Sequence, residues 1–206
     1  MNEPPATVRP PVTGEPQPTG EPPAGAAAGR RVLVLGGARS GKSAHAERML
    51  AGHDVVEYVA TGPPAGAGDQ EWDARVAAHR QRRPAGWLTT ETLDLERVLA
   101  AAGPAAPVLL ECVSTWLARV MDGCGCWEDA PGAAAALARR TGRMVAAWQA
   151  TRRQVVAVSN EVGSGVVPAT TSGRLFRDEL GSLNTRLAAG SDEVWLCTAG
   201  IPQRLR

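Results

Sequence analysis

A short apolar run, Val32-Leu33-Val34-Leu35, leads directly into Gly36-Gly37-Ala38-Arg39-Ser40-Gly41-Lys42-Ser43, and the stretch from Ala44 to Leu50 after it has helical character. No other feature of the chain constrains its fold so strongly. G-x-x-x-x-G-K-S between a strand and a helix is the pattern of a phosphate-binding loop. Its glycines let the backbone curl until the N–H groups point at phosphate oxygens, and the helix presents its positive end to the same anion. Lys42 would reach the outer phosphates, and the Ser43 hydroxyl would hold Mg²⁺. A chance glycine-rich turn would not be expected to carry both flanking elements in order. The motif implies a nucleoside triphosphate and leaves open what its phosphate is used for.

Downstream, apolar strand-like runs alternate with helical stretches. Strands are predicted near 31–35, 55–60, 87–90, 107–112, 154–159 and 192–198, with an edge strand within 199–206. Helices are predicted at 44–51, 69–83, 93–101, 113–122, 132–151 and 172–189. Asp69 is the expected N-cap of the second helix, with Trp72, Val76 and Ala77 as its apolar stripe. Pro84 ends that helix. The alternation implies an α/β fold: one P-loop NTPase-like domain with a mostly parallel sheet and helices on both faces. Ligands of such sheets sit at the carboxyl ends of the strands. Gly36–Ser43, Thr61, Glu111 and Asn160-Glu161 fall at those ends.

Residues 1–29 hold eight of the sixteen prolines and almost nothing that can bury. They read as a disordered tail without a catalytic role, with the folded domain at 30–206. A net charge of +1 gives no global field for nucleic acid or a membrane surface. No apolar run approaches a membrane span, and the first residues lack the pattern of a signal peptide. Cys112 and Cys197 lie in apolar runs, and Cys124-Gly125-Cys126 has no second Cys/His pair beside it. A reduced, cytoplasmic protein fits these cysteines best.

Two further groups carry possible chemistry. Glu111 closes a strand of the same sheet, where an acid can hold Mg²⁺ directly or through water, or can simply cap the next helix. In the segment 75–84, helical spacing puts Arg75, Arg82 and Arg83 on the side of His79. Guanidinium neighbours favour a neutral imidazole, which is a nucleophile, and could hold the phosphates it attacks. On spacing alone, a solvated basic face with an incidental histidine explains the segment equally well. His45 reads as support for the P-loop helix, and His53 has no evident partner.

Taken together, the segments GGARSGKSAHAE at 36–47, YVAT at 58–61, D-x-E-x-x-x-R-x-x-x-H-R-x-x-R-P-x-x-W at 69–87, LLEC at 109–112 and NEVGSGVVP at 160–168 resemble one family. GRLFRDELGSLNTRLAAGSDEVWL at 173–196 extends the likeness. The family is the bifunctional adenosylcobinamide kinase/adenosylcobinamide-phosphate guanylyltransferase of cobalamin (vitamin B12) biosynthesis. The resemblance implies phosphorylation of adenosylcobinamide by ATP or GTP, then transfer of GMP from GTP onto that phosphate through a GMP-histidine intermediate. His79 matches the histidine. Nucleotide contacts implied in the same way are Gly36, Gly37, Ala38, Arg39, Ser40, Gly41, Lys42, Ser43, Ala60, Thr61, Gly62, Arg80, Gln81, Arg82, Arg83, Glu91 and Glu111, with Mg²⁺ at Ser43 and Glu111. Glu91 enters on resemblance alone, since by itself it reads as an exposed strand-end acid. The partners implied are a corrinoid and nucleotides, in a homo-oligomer such as the trimer the family forms. Two rivals stand beside this reading: a monofunctional P-loop kinase, in which His79 only contacts substrate, and a RecA-like nucleotide switch or motor.

Overall fold

In β1 (Arg31–Gly36), Val32 and Val34 point to one side and Leu33 and Leu35 to the other, and all four are buried. Only a strand covered on both faces has that pattern. In the computed structural model, which describes residues 29–66, 70–101 and 106–206, β1 lies within one seven-stranded sheet. The expected tail and the Asp69 cap lie outside the described residues, Gly29 excepted.

The remaining elements are α1 (Lys42–Met49), β2 (Glu57–Ala60), α2 (Gln70–Arg82), β3 (Leu88–Glu91), α3 (Leu95–Ala100), β4 (Val108–Glu111), α4 (Val113–Gly123), α5 (Ala133–Ala150), β5 (Val155–Asn160), α6 (Thr171–Ala189), β6 (Glu193–Thr198) and β7 (Ile201–Arg204). The strand order is β3-β2-β4-β5-β1-β6-β7, and every pairing is parallel except β6 with β7. The sheet is thus the mostly parallel, P-loop-bearing sheet that the alternation predicts.

Two cores follow from the alternation of side chains. One face packs against α3, α4, α5 and α6, with Trp116 and Trp148 fully buried. Their indole N–H groups donate to Leu93 O at 3.0 Å and Leu187 O at 3.2 Å, so neither ring leaves a polar atom unpaired in the core. The other face packs against α1 through Ala46 and Leu50.

The second helix departs from expectation. No residue of α2 is buried, and Ala77, assigned to an apolar stripe, is exposed. Two of the three proposed stripe residues, Trp72 and Val76, are half-buried and face the cavity described below rather than a core. A short stripe with five charged neighbours, Glu71, Asp73, Arg75, Arg80 and Arg82, has too little apolar surface to seal against a sheet.

Candidate active site

The parallel register sets the row of residues at the strand ends. Ala60 is flanked by Glu111 on one side and Glu91 on the other, and Gly36 pairs with Asn160. Residues far apart in sequence therefore meet at one edge, directly beside the phosphate-binding loop.

The loop itself turns through left-handed backbone at Arg39 (φ 56°) and Gly41 (φ 89°). At Gly41 a side chain would be strained by that φ and would crowd Gly200, whose Cα lies 3.1 Å from the position of a Cβ. Gly200 N–H donates to Ser40 O at 2.9 Å, so the turn between β6 and β7 supports the loop from outside. No side chain caps α1 at Gly41, which leaves the amides of its first turn for an anion. Lys42 is buried, and its Nζ donates to Gly37 O at 3.1 Å across the loop.

Ser43 Oγ donates to Glu111 Oε1 at 2.8 Å. The other carboxylate oxygen, Oε2, is buried without a hydrogen bond. Burial pushes the Glu111 carboxyl up, against the opposing pull of His79, the Ser43 hydrogen bond and Lys42. A hydroxyl beside a carboxylate with a spare oxygen is a donor set suited to Mg²⁺ completed by water and phosphate. Among the described residues no three His, Cys, Asp or Glu side chains gather into a metal cluster, Cys124 and Cys126 included.

A cavity of about 710 Å³ opens over the loop and runs under α2. Ala38, Arg39, Ser40, Gly41, Lys42, Ser43, Ala60, Gly62, His79, Arg80, Arg82, Arg83, Glu91 and Glu111 line it, as do Tyr58, Trp72 and Asn160. Gly36 and Gly37 lie outside the lining. Thr61 is fully buried behind it, where Oγ1 donates to Cys112 O at 2.7 Å and accepts from Cys112 N at 3.1 Å. Its side chain thus ties β2 to the end of β4. Gln81 is exposed and outside the lining, on the solvent side of α2.

His79 reaches the cavity from α2, and its surroundings differ from the arginine cluster that helical spacing implies. Nδ1 is 3.1 Å from Arg82 Nη2 and 3.7 Å from Glu47 Oε1 of α1. Arg82 also forks onto Glu47, with Nε to Oε2 at 3.2 Å and Nη2 to Oε1 at 3.3 Å. Burial alone would raise the Glu47 carboxyl, but the contacts with His79 and Arg82 outweigh it and hold the group below its ordinary value. Arg83 lies over the Tyr58 ring, 3.7 Å from its centroid, and donates to His79 O at 3.0 Å and Thr89 Oγ1 at 3.0 Å. Arg75 lines the cavity without a hydrogen bond to His79. Arg80 Nη2 donates to Glu91 Oε1 at 3.4 Å at the exposed rim.

Sequence reasoning missed Glu47, Tyr58, Trp72 and Arg119 as parts of this site. Trp72 donates to Pro63 O at 3.0 Å and lies against Gly62. Arg119 Nη1 donates to Thr61 O at 3.3 Å and Gly62 O at 3.1 Å, fixing the end of β2. Glu47 follows Ser43 by one helical turn, the only local signal among the four.

The chain is similar in sequence to known proteins. Residues 32–205 match the family described as "Cobinamide kinase / cobinamide phosphate guanyltransferase". The chain is 39% identical over 183 residues to the bifunctional adenosylcobalamin biosynthesis protein CobU of Escherichia coli K12, covering 85% of this chain and 99% of that protein. It is 38% identical over 179 residues to the bifunctional adenosylcobalamin biosynthesis protein CobP of Pseudomonas aeruginosa, covering 85% and 97%. Among solved structures, an ATPase from a bacterial type III secretion system matches 83% of this chain at 12% identity and a TM-score of 0.49. The chain spans about half of that ATPase, 51% of its length.

Proposed function

Since the chain belongs to the cobinamide kinase / cobinamide phosphate guanyltransferase family, we propose that one nucleotide cavity serves both of its reactions, with Lys42 gripping the outer phosphates and His79 carrying GMP. The protein is a bifunctional enzyme of cobalamin biosynthesis, a kinase and a guanylyltransferase, acting on nucleotides and a corrinoid. The observation that supports the division of labour is that His79 and the phosphate-binding loop line the same cavity.

In the kinase step the corrinoid hydroxyl attacks the γ-phosphorus of ATP or GTP. Positioning and charge neutralisation supply most of the catalysis, and Lys42 with the first-turn amides of α1 is placed to provide both. Ser43 and Glu111 would hold Mg²⁺, which neutralises phosphate charge when bound; the unpaired Glu111 Oε2 supports this. In the guanylyl step attack falls on the α-phosphorus and pyrophosphate leaves. A loop that grips the β- and γ-phosphates stabilises that leaving group, so the same loop suits both steps. Arg82 and Arg83 lie on the His79 side, where a nucleotide's inner phosphate would sit.

We assign the catalytic unit to residues 30–206 and no catalytic role to residues 1–29. No helix among the described residues is long and apolar enough to cross a membrane. We propose a cytoplasmic enzyme working as a homo-oligomer, such as the trimer that the family resemblance implies.

The experiment is retention of label. With GTP labelled in the α-phosphate the protein should hold label through denaturation, and with γ-labelled GTP it should not. The bond should break in mild acid and survive alkali, as a phosphoramidate does. His79→Ala should abolish both label and guanylyl transfer while losing much less kinase activity. Acid-labile GMP on His79→Ala would overturn the assignment.

A further inference from the structure

We propose that Glu47 is a positioning residue for guanylyl transfer: its carboxylate takes the hydrogen bond of His79 Nδ1–H, which leaves the Nε2 lone pair to attack and makes Nε2 the atom that carries GMP. The inference rests on His79 being the nucleophile.

A neutral imidazole has one N–H and one lone pair, so the partner of one nitrogen decides whether the other can attack. The Nδ1 edge of His79 faces α1, with Glu47 Oε1 3.7 Å away. Among the described residues Nε2 makes no hydrogen bond, and the histidine borders the cavity. Glu47 Oε1 is the acceptor atom that faces Nδ1, beyond hydrogen-bond length in the arrangement observed. Its side chain is only 13% exposed, and its carboxyl is held ionised by the same neighbours. It sits one turn after Ser43 on α1, so the helix that carries the phosphate-binding residues also sets the orientation of the nucleophile.

Arg82 is the competitor in the arrangement observed. Its Nη2 lies 3.1 Å from Nδ1. A guanidinium only donates, so this contact favours the tautomer with the proton on Nε2, which cannot attack. Arg82 lines the cavity, and its donors match phosphate oxygens. A phosphate that draws Arg82 away leaves Nδ1 and Glu47 facing each other across a gap that a few tenths of an ångström would close to hydrogen-bond length. Nucleotide arrival thereby switches the histidine to its nucleophilic form.

The step balances. Nε2 forms a bond to the α-phosphorus, the bond from that phosphorus to the oxygen bridging to the β-phosphate breaks, and pyrophosphate leaves with the electron pair. The ring keeps its Nδ1 proton and becomes cationic, and the Glu47 carboxylate stabilises that cation. In the second half an oxygen of the corrinoid phosphate attacks the same phosphorus, and the N–P electron pair returns to Nε2.

The test uses the full chain with ring-¹⁵N histidine and α-labelled GTP, comparing wild type with Glu47→Gln, Glu47→Asp and His79→Ala. Nitrogen–phosphorus coupling in the alkali-stable protein should place GMP on Nε2. Glu47→Gln should slow first-turnover labelling about 10–100-fold, the range seen for partners that orient a metal-bound histidine. It should change KM for GTP and the kinase rate far less. Glu47→Asp should recover part of the loss, because a shorter carboxylate still accepts from Nδ1. GMP on Nδ1 overturns the proposal, as does labelling of Glu47→Gln at the wild-type rate or an equal loss of both activities. If His79→Ala keeps the label, the nucleophile is elsewhere and the proposal falls with it. If His79→Ala loses the label while Glu47→Gln is unimpaired, only the role of Glu47 fails. Should Glu47→Gln not fold, the linkage in wild type and the rate of Glu47→Asp decide the matter.

Discussion

Replacing Lys42 by methionine should disable both reactions together. Methionine keeps an apolar stem and removes the charge. An outer phosphate about 4 Å from Nζ, acting through an effective dielectric of about 20, is attracted by about 4 kcal/mol. The Lys42 ammonium is buried and already bonded to Gly37 O at 3.1 Å, so part of that attraction replaces an existing contact. A net loss of about 2–4 kcal/mol corresponds to about 30- to 1,000-fold in kcat/KM. The kinase is assayed by γ-phosphate transfer to adenosylcobinamide, and the guanylyltransferase separately, with adenosylcobinamide phosphate and α-labelled GTP. The folded state loses one hydrogen bond, about 1 kcal/mol, so the thermal midpoint should fall by no more than about 2–4 °C. A variant that folds, loses the kinase and retains full guanylyl transfer would refute the reasoning. It would mean that the α-phosphate reaction draws its nucleotide from a second site.

Three further outcomes are expected. Gly62→Val would drive a Cβ into the Trp72 ring and lift α2 with His79 from the cavity rim, so first-turnover labelling should drop at least tenfold (about 1.4 kcal/mol), more than the kinase, in the same two assays. Burial pushes the Glu193 carboxyl up, but the Trp195 indole N–H at 2.9 Å and the charges of Arg30 and Arg204 hold it below its ordinary 4.5. A depressed carboxyl stabilises the fold above its unfolded value and loses that contribution as pH falls through its folded value. Glu193→Gln should therefore melt below wild type at neutral pH and converge with it as pH falls below the ordinary carboxyl value of 4.5 and through the lower folded one, as followed by thermal denaturation. Deleting residues 1–29 should leave the melting temperature and both activities nearly unchanged, because their sequence offers no core-forming pattern; a large loss would show that they pack on the domain.

What was legible in the sequence divides along the range of the interactions. The sheet could be read because each strand carries its own signal: Leu109 and Leu110 are apolar on consecutive positions because both faces are covered. Glu111 could be placed for the same reason, at the end of such a run. The boundaries shifted by a residue or two, as at β2, which begins at Glu57 rather than Val55. The partners of His79 were harder. Helical spacing pointed to three arginines on its own helix, and only Arg82 lies against the ring. Arg83 is taken by Tyr58, and Glu47 arrives from α1. Those contacts depend on where α2 docks, and a helix without a buried face carries no pattern that says so. Thr61 was read as a ligand contact from its place at a strand end, where the side chain instead closes a backbone tie to Cys112.

The bond from Gly200 to Ser40 carries a consequence for how the chain becomes active. The phosphate-binding loop belongs to the first strand and helix, yet the residues that brace it are the turn between the last two strands. Its own strand is sandwiched between β5 and β6, so almost the whole folded chain must be in place before the loop has its neighbours. Contacts of such sequence separation form late and slowly. During synthesis, a partly made chain would carry the loop without its brace. Nucleotide affinity should then emerge as a final step, and loss of the β6–β7 turn should silence the enzyme before it unfolds the sheet.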